Sequence, residues 1–321
     1  MDHKIHIAPM MGYTHRHFRY LMRKICPGAL LYSEMVTTGA LLHGDVSRSL
    51  LFDKSELPVV LQLGGNDPNA LAKCAKMGER FGYSQINLNV GCPSSRVKDG
   101  GIGACLYKTP ERVADCVSAM KKAVDLPVTV KCRIGVDEHD SFDQLVHFCQ
   151  SVSDAGSSFV IVHARKAWLN GLNPKQNRTI PPLRYDVAAQ LADVVDCPIV
   201  LNGGIESLDA VSLHLQTFPA VMIGRWACKD PMGVGRFFTD GTDVSSCLSD
   251  ILSDYFAYVE RSLVTGESIS FLLQPLQGLF HASAGAKQWR KGINEVAQHF
   301  RKTNRIPKDL YQDMLHRALC C

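Results

Sequence analysis

Short apolar, β-branched runs recur at regular intervals along the chain: IHIAPM (5–10), ALLYSEMV (29–36), PVVLQLGG (58–65), QINLNVGC (85–92), PVTVKCRIG (127–135), SFVIVHAR (158–165), PIVLNGG (198–204) and AVMIGRWA (220–227). Between them lie segments such as NALAKCAKMGERFG and PERVADCVSAMKKAV, in which apolar residues return every three or four positions, the period of an amphipathic helix. Strands apolar on both faces that alternate with helices predict a parallel sheet. Eight such units in about 230 residues predict an α/β fold of the TIM (β/α)8 barrel type, which typically takes about 250. An open doubly wound sheet is the alternative. It would carry G-x-G-x-x-G after its first strand, where this chain reads APMMGYTHRHF, and the later GGIGACL lacks the third glycine.

Past the eighth run the periodicity is helical throughout. Leu248, Leu252, Phe256, Val259 and Leu263 form one stripe and Trp289, Ile293, Val296 and Phe300 another, and Pro307 suits the first turn of a last helix. We therefore expect a catalytic barrel over 1–240 and a C-terminal helical domain over 241–321.

Composition narrows the class. With 46% hydrophobic and 21% charged residues over 321 positions, the chain can bury a large core. The start, MDHKIHIAPMMG, has no apolar run of signal-peptide length, and nothing reaches the roughly 18 apolar residues of a membrane span. A cytoplasmic protein without membrane attachment is expected. The 12 cysteines are scattered singly with no C-x-x-C pair, so they predict neither zinc nor a redox dithiol but small core residues in a reducing compartment. No metal site and no protein partner is evident. A net charge of +4 neither announces nor excludes a nucleic acid, so the placement of charge matters more than its sum.

In a barrel of this kind the chemistry belongs at the C-terminal ends of the strands. Those positions hold Pro9 and Met10, Glu34, Gln62, Asn89 and Cys92, Lys131 and Arg133, His163 and Arg165, Asn202 with Gly203 and Gly204, and Gly224 with Arg225. Packing alone does not explain so polar a set. Loops after strands seven and eight of such barrels often bind phosphate through backbone N–H groups, and NGGI followed by IGRW supplies glycines with an arginine. A phosphorylated ligand is implied. Lys131 is suited to stabilise negative charge on a reduced flavin, and the Gln62 amide can both donate to and accept from a heterocycle.

The motifs APMMGYT, LQLGG, NLNVGCPS, GACL, VKCRIG, VHARKAW, NGGI and MIGR, in this order, closely resemble those of the tRNA-dihydrouridine synthases, FMN enzymes that reduce particular uridines in tRNA. The resemblance covers residues 5 to about 228. The stretch HARKAWLNGLNPKQNRTIPPL further resembles the A subgroup, which modifies D-loop uridines 20 and 20a. The resemblance implies that Pro9, Met10, Met11, Gln62, Lys131, His163, Asn202, Gly203, Gly204, Gly224 and Arg225 hold FMN, that NADPH is the electron donor, and that Cys92 is the catalytic proton donor. It also implies that Asn89, Lys175, Arg178, Lys287 and Arg290 contact the tRNA. Cys132 and Trp226 depart from the pattern, where threonine and a small or acidic residue are more usual, and neither removes a group with an assigned role.

That role fits the chemistry. Reducing the C5=C6 bond of uracil requires a hydride at one carbon and a proton at the other, and a reduced flavin supplies only the hydride. A thiol, ordinarily protonated at neutral pH, can act as the general acid. Pro93 stiffens the turn, and Gly91 lets its backbone pass close to a base. The segment from His163 to Arg178 carries Arg165, Lys166, Lys175 and Arg178 with no acidic residue, plus Trp168, a composition suited to phosphate contacts and stacking. Two other readings stay open at this point: an FMN barrel acting on a free pyrimidine, and a noncatalytic tRNA-binding protein.

Overall fold

The computed structural model describes residues 2–239, 248–306 and 308–319. Residues 240–247, where the sequence places the domain boundary, Pro307 and the Cys320-Cys321 pair lie outside the described residues. The apolar runs form eight strands among those described: β1 (Ile5–Ile7), β2 (Leu30–Thr37), β3 (Val59–Gly64), β4 (Gln85–Asn89), β5 (Val128–Arg133), β6 (Val160–His163), β7 (Ile199–Asn202) and β8 (Ala220–Ile223). All pair in parallel with their sequence neighbours, and β8 returns to β1 with Ile7 opposite Ile223, so the barrel closes. The predicted (β/α)8 barrel is present.

Local chemistry starts and stops the helices between strands. In Pro68–Phe81 the Asp67 carboxylate accepts from the backbone N–H groups of Asn69 and Ala70, proline opens the first turn, and Gly82 ends the helix in the left-handed conformation. Phe142–Asp154 opens with a capping box between Ser141 and Gln144.

Side chains along a strand alternate between faces, so every second residue enters the barrel. The interior floor is apolar: Ala8, Leu30, Tyr32, Val60, Phe159, Ile161, Val200, Ala220 and Met222 pack together, with Met10 against them. Two residues further along the same faces stand Gln62, His163, Asn202 and Gly224. The strand period thus places polar groups above an apolar floor.

The chain forms two compact units, Met1–Thr14 with Ala29–Gly224, and His15–Gly28 with Arg225–Cys321. The first holds the barrel. The second is helical among the described residues, with Arg16–Ile25, Leu248–Val264, Ala286–Thr303 and Lys308–Leu319 as its longest elements. Trp289, Tyr255 and Phe256 are fully buried there, Tyr20 stacks on Tyr258 at 3.9 Å between ring centres, and the Trp289 indole N–H donates to the Leu276 carbonyl at 2.7 Å. No helix among the described residues is long and apolar enough to cross a membrane.

Candidate active site

Cys92 sits three residues past β4, on a turn that the end of the strand itself holds in place. The Asn89 side-chain carbonyl accepts the backbone N–H groups of Gly91 at 3.1 Å and Cys92 at 3.0 Å. The Asn89 amide nitrogen donates to Gln62 Oε1 at 2.8 Å, Gln62 Nε2 donates to Asn87 Oδ1 at 2.8 Å, and Asn87 Nδ2 donates to Thr129 Oγ1 at 2.9 Å. Gln62, Asn87, Asn89 and Thr129 are all buried, where an unmatched amide is costly, and their chain of bonds crosses β3, β4 and β5. On the far side of the turn, the Cys92 carbonyl accepts from Ala104 N–H at 2.9 Å. Gly103 makes this approach possible: its φ is +73°, and a Cβ there would lie 2.6 Å from the Cys92 oxygen. Cys92 remains half-buried, and its thiol lies 3.6 Å from the Ser94 hydroxyl.

One strand along, in register with Asn89, stands Lys131. Its ammonium donates to Asn202 Oδ1 at 2.9 Å, and Asn202 Nδ2 donates to the Met222 carbonyl at 2.7 Å, so β5, β7 and β8 are also joined across the interior. Burial, together with the charge of Arg133 two residues on, brings the Lys131 pKa down from 10.5 to about 8. Buried Arg133 donates to the Gly91 carbonyl at 3.0 Å, to the Lys166 carbonyl at 3.3 Å and to the Asn177 carbonyl at 3.0 Å. It therefore ties the Cys92 turn to the loop after β6.

That loop has its own organiser. Fully buried Asn177 donates to the carbonyls of Trp168, Leu172 and Asn173 at 2.9, 3.1 and 3.3 Å, and accepts the Trp168 N–H at 2.8 Å. Lys166 lies 4.0 Å from the centre of the Trp168 ring and 2.7 Å from Asp140. Lys175 and Arg178 are exposed on the same loop.

His163 and Asn202 are register partners, and Gly203 follows Asn202 with φ +117°. A Cβ on Gly203 would come within 2.7 Å of the His163 ring, and one on Gly204, with φ +68°, within 2.4 Å of Leu183. These positions admit only glycine without rearrangement. Gly224 is half-buried, with Met10 and Ala8 as its nearest neighbours. Pro9 and Met10 are half-buried after β1, Met11 is exposed, and the Met10 backbone closes a turn onto Thr14. An ammonium, an imidazole, amides and a glycine pair above an apolar floor suit a planar heterocycle with polar edges and an anionic tail.

Of the sequence-predicted groups, the barrel unit brings together Gln62, Asn89, Cys92, Lys131, His163, Asn202, Gly203, Gly204, Gly224 and the Pro9–Met11 turn. Arg225, exposed, begins a helix of the second unit, which also carries exposed Lys287 and Arg290 on Ala286–Thr303. Sequence reasoning missed Asn87, Thr129 and Asn177. The first two had a signal: Asn87 shares a strand face with Asn89, and Thr129 with Lys131.

Residues 6–316 match the family described as dihydrouridine synthase. The chain is 48% identical over 293 residues to a tRNA-dihydrouridine(20/20a) synthase of Synechocystis, covering 90% of this chain and 88% of that one. Proteins of the same name from Shewanella oneidensis and Escherichia coli K12 are 44% identical over 318 residues and 46% identical over 296, covering 98% and 91% of this chain and 95% and 86% of theirs. Among solved structures, a 2-naphthoyl-CoA reductase in complex with 2-naphthoyl-CoA superposes with a TM-score of 0.56 at 11% identity, over 74% of this chain and 50% of that one, a likeness of fold.

Proposed function

The chain belongs to the dihydrouridine synthase family, and from that premise we propose that it reduces D-loop uridines of tRNA at positions 20 and 20a, with FMN as bound cofactor and NADPH as electron donor. The names of relatives 44–48% identical over most of their length support tRNA as substrate and 20/20a as the positions. NADPH rests on the family resemblance.

The observation that carries the reading is a half-buried thiol, Cys92, fixed on a backbone-braced turn one strand away from Lys131. The residues present fit FMN. Lys131, Gln62, His163 and Asn202, with the Pro9–Met11 turn, would meet the ring system, and Gly203, Gly204 and Gly224, with Arg225 next in the chain, would meet the phosphate. When bound and reduced, FMN supplies a hydride to the uracil C5=C6 bond. The second hydrogen arrives as a proton, and a positioned general acid beside the base supplies it. Cys92 Sγ donates it, and the Asn89 carbonyl holds the Gly91–Cys92 backbone so that the thiol stays presented to the base. Asn89 also contacts the uracil or its ribose, while Lys175, Arg178, Lys287 and Arg290 contact phosphates.

Replacing Cys92 by alanine tests the assignment. The variant should keep its fold, its flavin and NADPH-dependent flavin reduction, yet reoxidise with tRNA about 10² to 10⁴ times more slowly in single turnover, the usual worth of a positioned general acid. Near-normal reoxidation of the variant would refute the proton-donor role, and free uridine reoxidising the flavin as fast as tRNA would refute the substrate.

A further inference from the structure

The helix Ala286–Thr303 buries Trp289, Gly292, Ile293, Val296 and Ala297 on one side. At 3.6 residues per turn, Lys287, Arg290, Lys291, Asn294, Gln298 and Arg301 fall within an arc of about 100° on the other. All six are exposed. Cations thus occupy both ends of the stripe and two amides its middle. The only carboxylate at the border of this arc, Glu295, is engaged by Arg317 at 3.1 Å and Lys291 at 3.7 Å.

Beside the amides lies a recess of about 200 Å³. Its floor is Leu273 and Ile293, and its polar rim is Ser270, Gln277, Asn294, Gln298 and Arg301, with no acidic residue in the lining. Arg301 donates to the Ser270 hydroxyl at 2.6 Å, which holds the guanidinium at the rim. All of these residues belong to the second unit.

We propose that this recess is a nucleotide subsite that takes one unpaired nucleotide of the tRNA, other than the uridine being reduced. Its volume is below the roughly 300–1,000 Å³ of pockets for drug-sized ligands and suits a single base. Each of the three amides carries a donor and an acceptor, the groups with which proteins read exposed base edges in single-stranded RNA. The apolar floor gives the base face something to cover. Arg290 and Lys291, about one turn before Asn294, and Arg301, one turn after Gln298's level, are spaced to meet the flanking phosphates. A merely solvated helix face has cations, but it has no reason to place paired amides over an apolar recess.

The inference rests on tRNA being the substrate, and the test separates the two. Binding of unmodified tRNA by the flavin-loaded, full-length protein is measured across salt concentrations for wild type and for Asn294→Ala combined with Gln298→Ala. The double variant should bind about tenfold or more weakly through loss of its hydrogen bonds to the base, with an unchanged slope of log K against log salt and an unchanged flavin content. tRNA containing 4-thiouridine should cross-link to peptides spanning 270–277 or 294–301. Full affinity in the variant, or cross-links confined to other peptides, overturns the subsite and leaves the tRNA reading intact. If the wild-type protein itself fails to bind tRNA, both fall.

Discussion

Lys131 shows how a single residue joins fold and chemistry. It lies on an apolar strand, hydrogen-bonded to Asn202, and burial with the Arg133 charge has brought its pKa from 10.5 to about 8. Since the folded value lies below the unfolded one, the flavin-free protein carries the cost of the charged lysine in full below pH 8. The folded state sheds the proton first as pH rises, so this cost disappears between pH 8 and about 10.5. The stability of flavin-free wild type relative to Lys131→Met should therefore rise across that window and be flat below it, as measured by denaturant unfolding at each pH. A difference that falls with pH would mean that the lysine gains a favourable partner on folding. A group poised in this way responds to a bound anion, which would raise its pKa and keep it charged into the mildly alkaline range where the flavin-free protein loses the proton.

At the scale of elements, legibility in the sequence follows periodicity. The eight strands were visible because buried parallel strands are apolar on both faces, and the polar groups at their ends stood out against that background. Which of them bond to one another was not visible. The Asn89–Gln62–Asn87–Thr129 chain crosses three strands, and its register is fixed by barrel closure, which no single run encodes. The helix Arg16–Ile25 follows β1 in the chain, yet it packs within the second unit, where His17 Nδ1 lies 2.6 Å from the Tyr258 hydroxyl, a pairing 241 positions apart in sequence. The loop after β6 has neither period. It is ordered by Asn177, one side chain holding four backbone groups that hydrophobic patterning does not register. Asn177→Ala leaves those groups unpaired, each at a cost of about 1–3 kcal/mol if they stay buried, so the loop should open locally rather than keep its shape. Hydrogen exchange should accelerate at least about tenfold over residues 166–178 with the barrel strands unchanged, and KM for tRNA should rise while flavin content holds. Unaltered exchange in that loop would show that Arg133 and the flanking turns suffice to order it.

Across the whole molecule, charge is distributed in a way that the net value conceals. The chain carries 35 lysines and arginines against 31 aspartates and glutamates, a net of +4. Residues 287–305 alone hold six cations against one carboxylate, and residues 163–181 hold four cations with no carboxylate, so the rest of the chain is net acidic. A uniformly weak positive charge would attract RNA without direction. Two basic segments in an otherwise acidic chain confine the attraction to chosen surfaces and repel RNA from the rest. If Lys287 and Arg290 each neutralise a phosphate, binding releases a corresponding number of counterions, and log K falls with log salt by about 0.7–0.9 per contact. Lys287→Ala with Arg290→Ala should then flatten the slope by roughly 1.4–1.8, weaken tRNA binding most at low salt, and leave flavin content untouched. Equal slopes for variant and wild type would mean that these side chains are solvated in the complex as they are in the free protein. The cationic segment would then act through long-range attraction alone, which changes association rates more than the number of ions released.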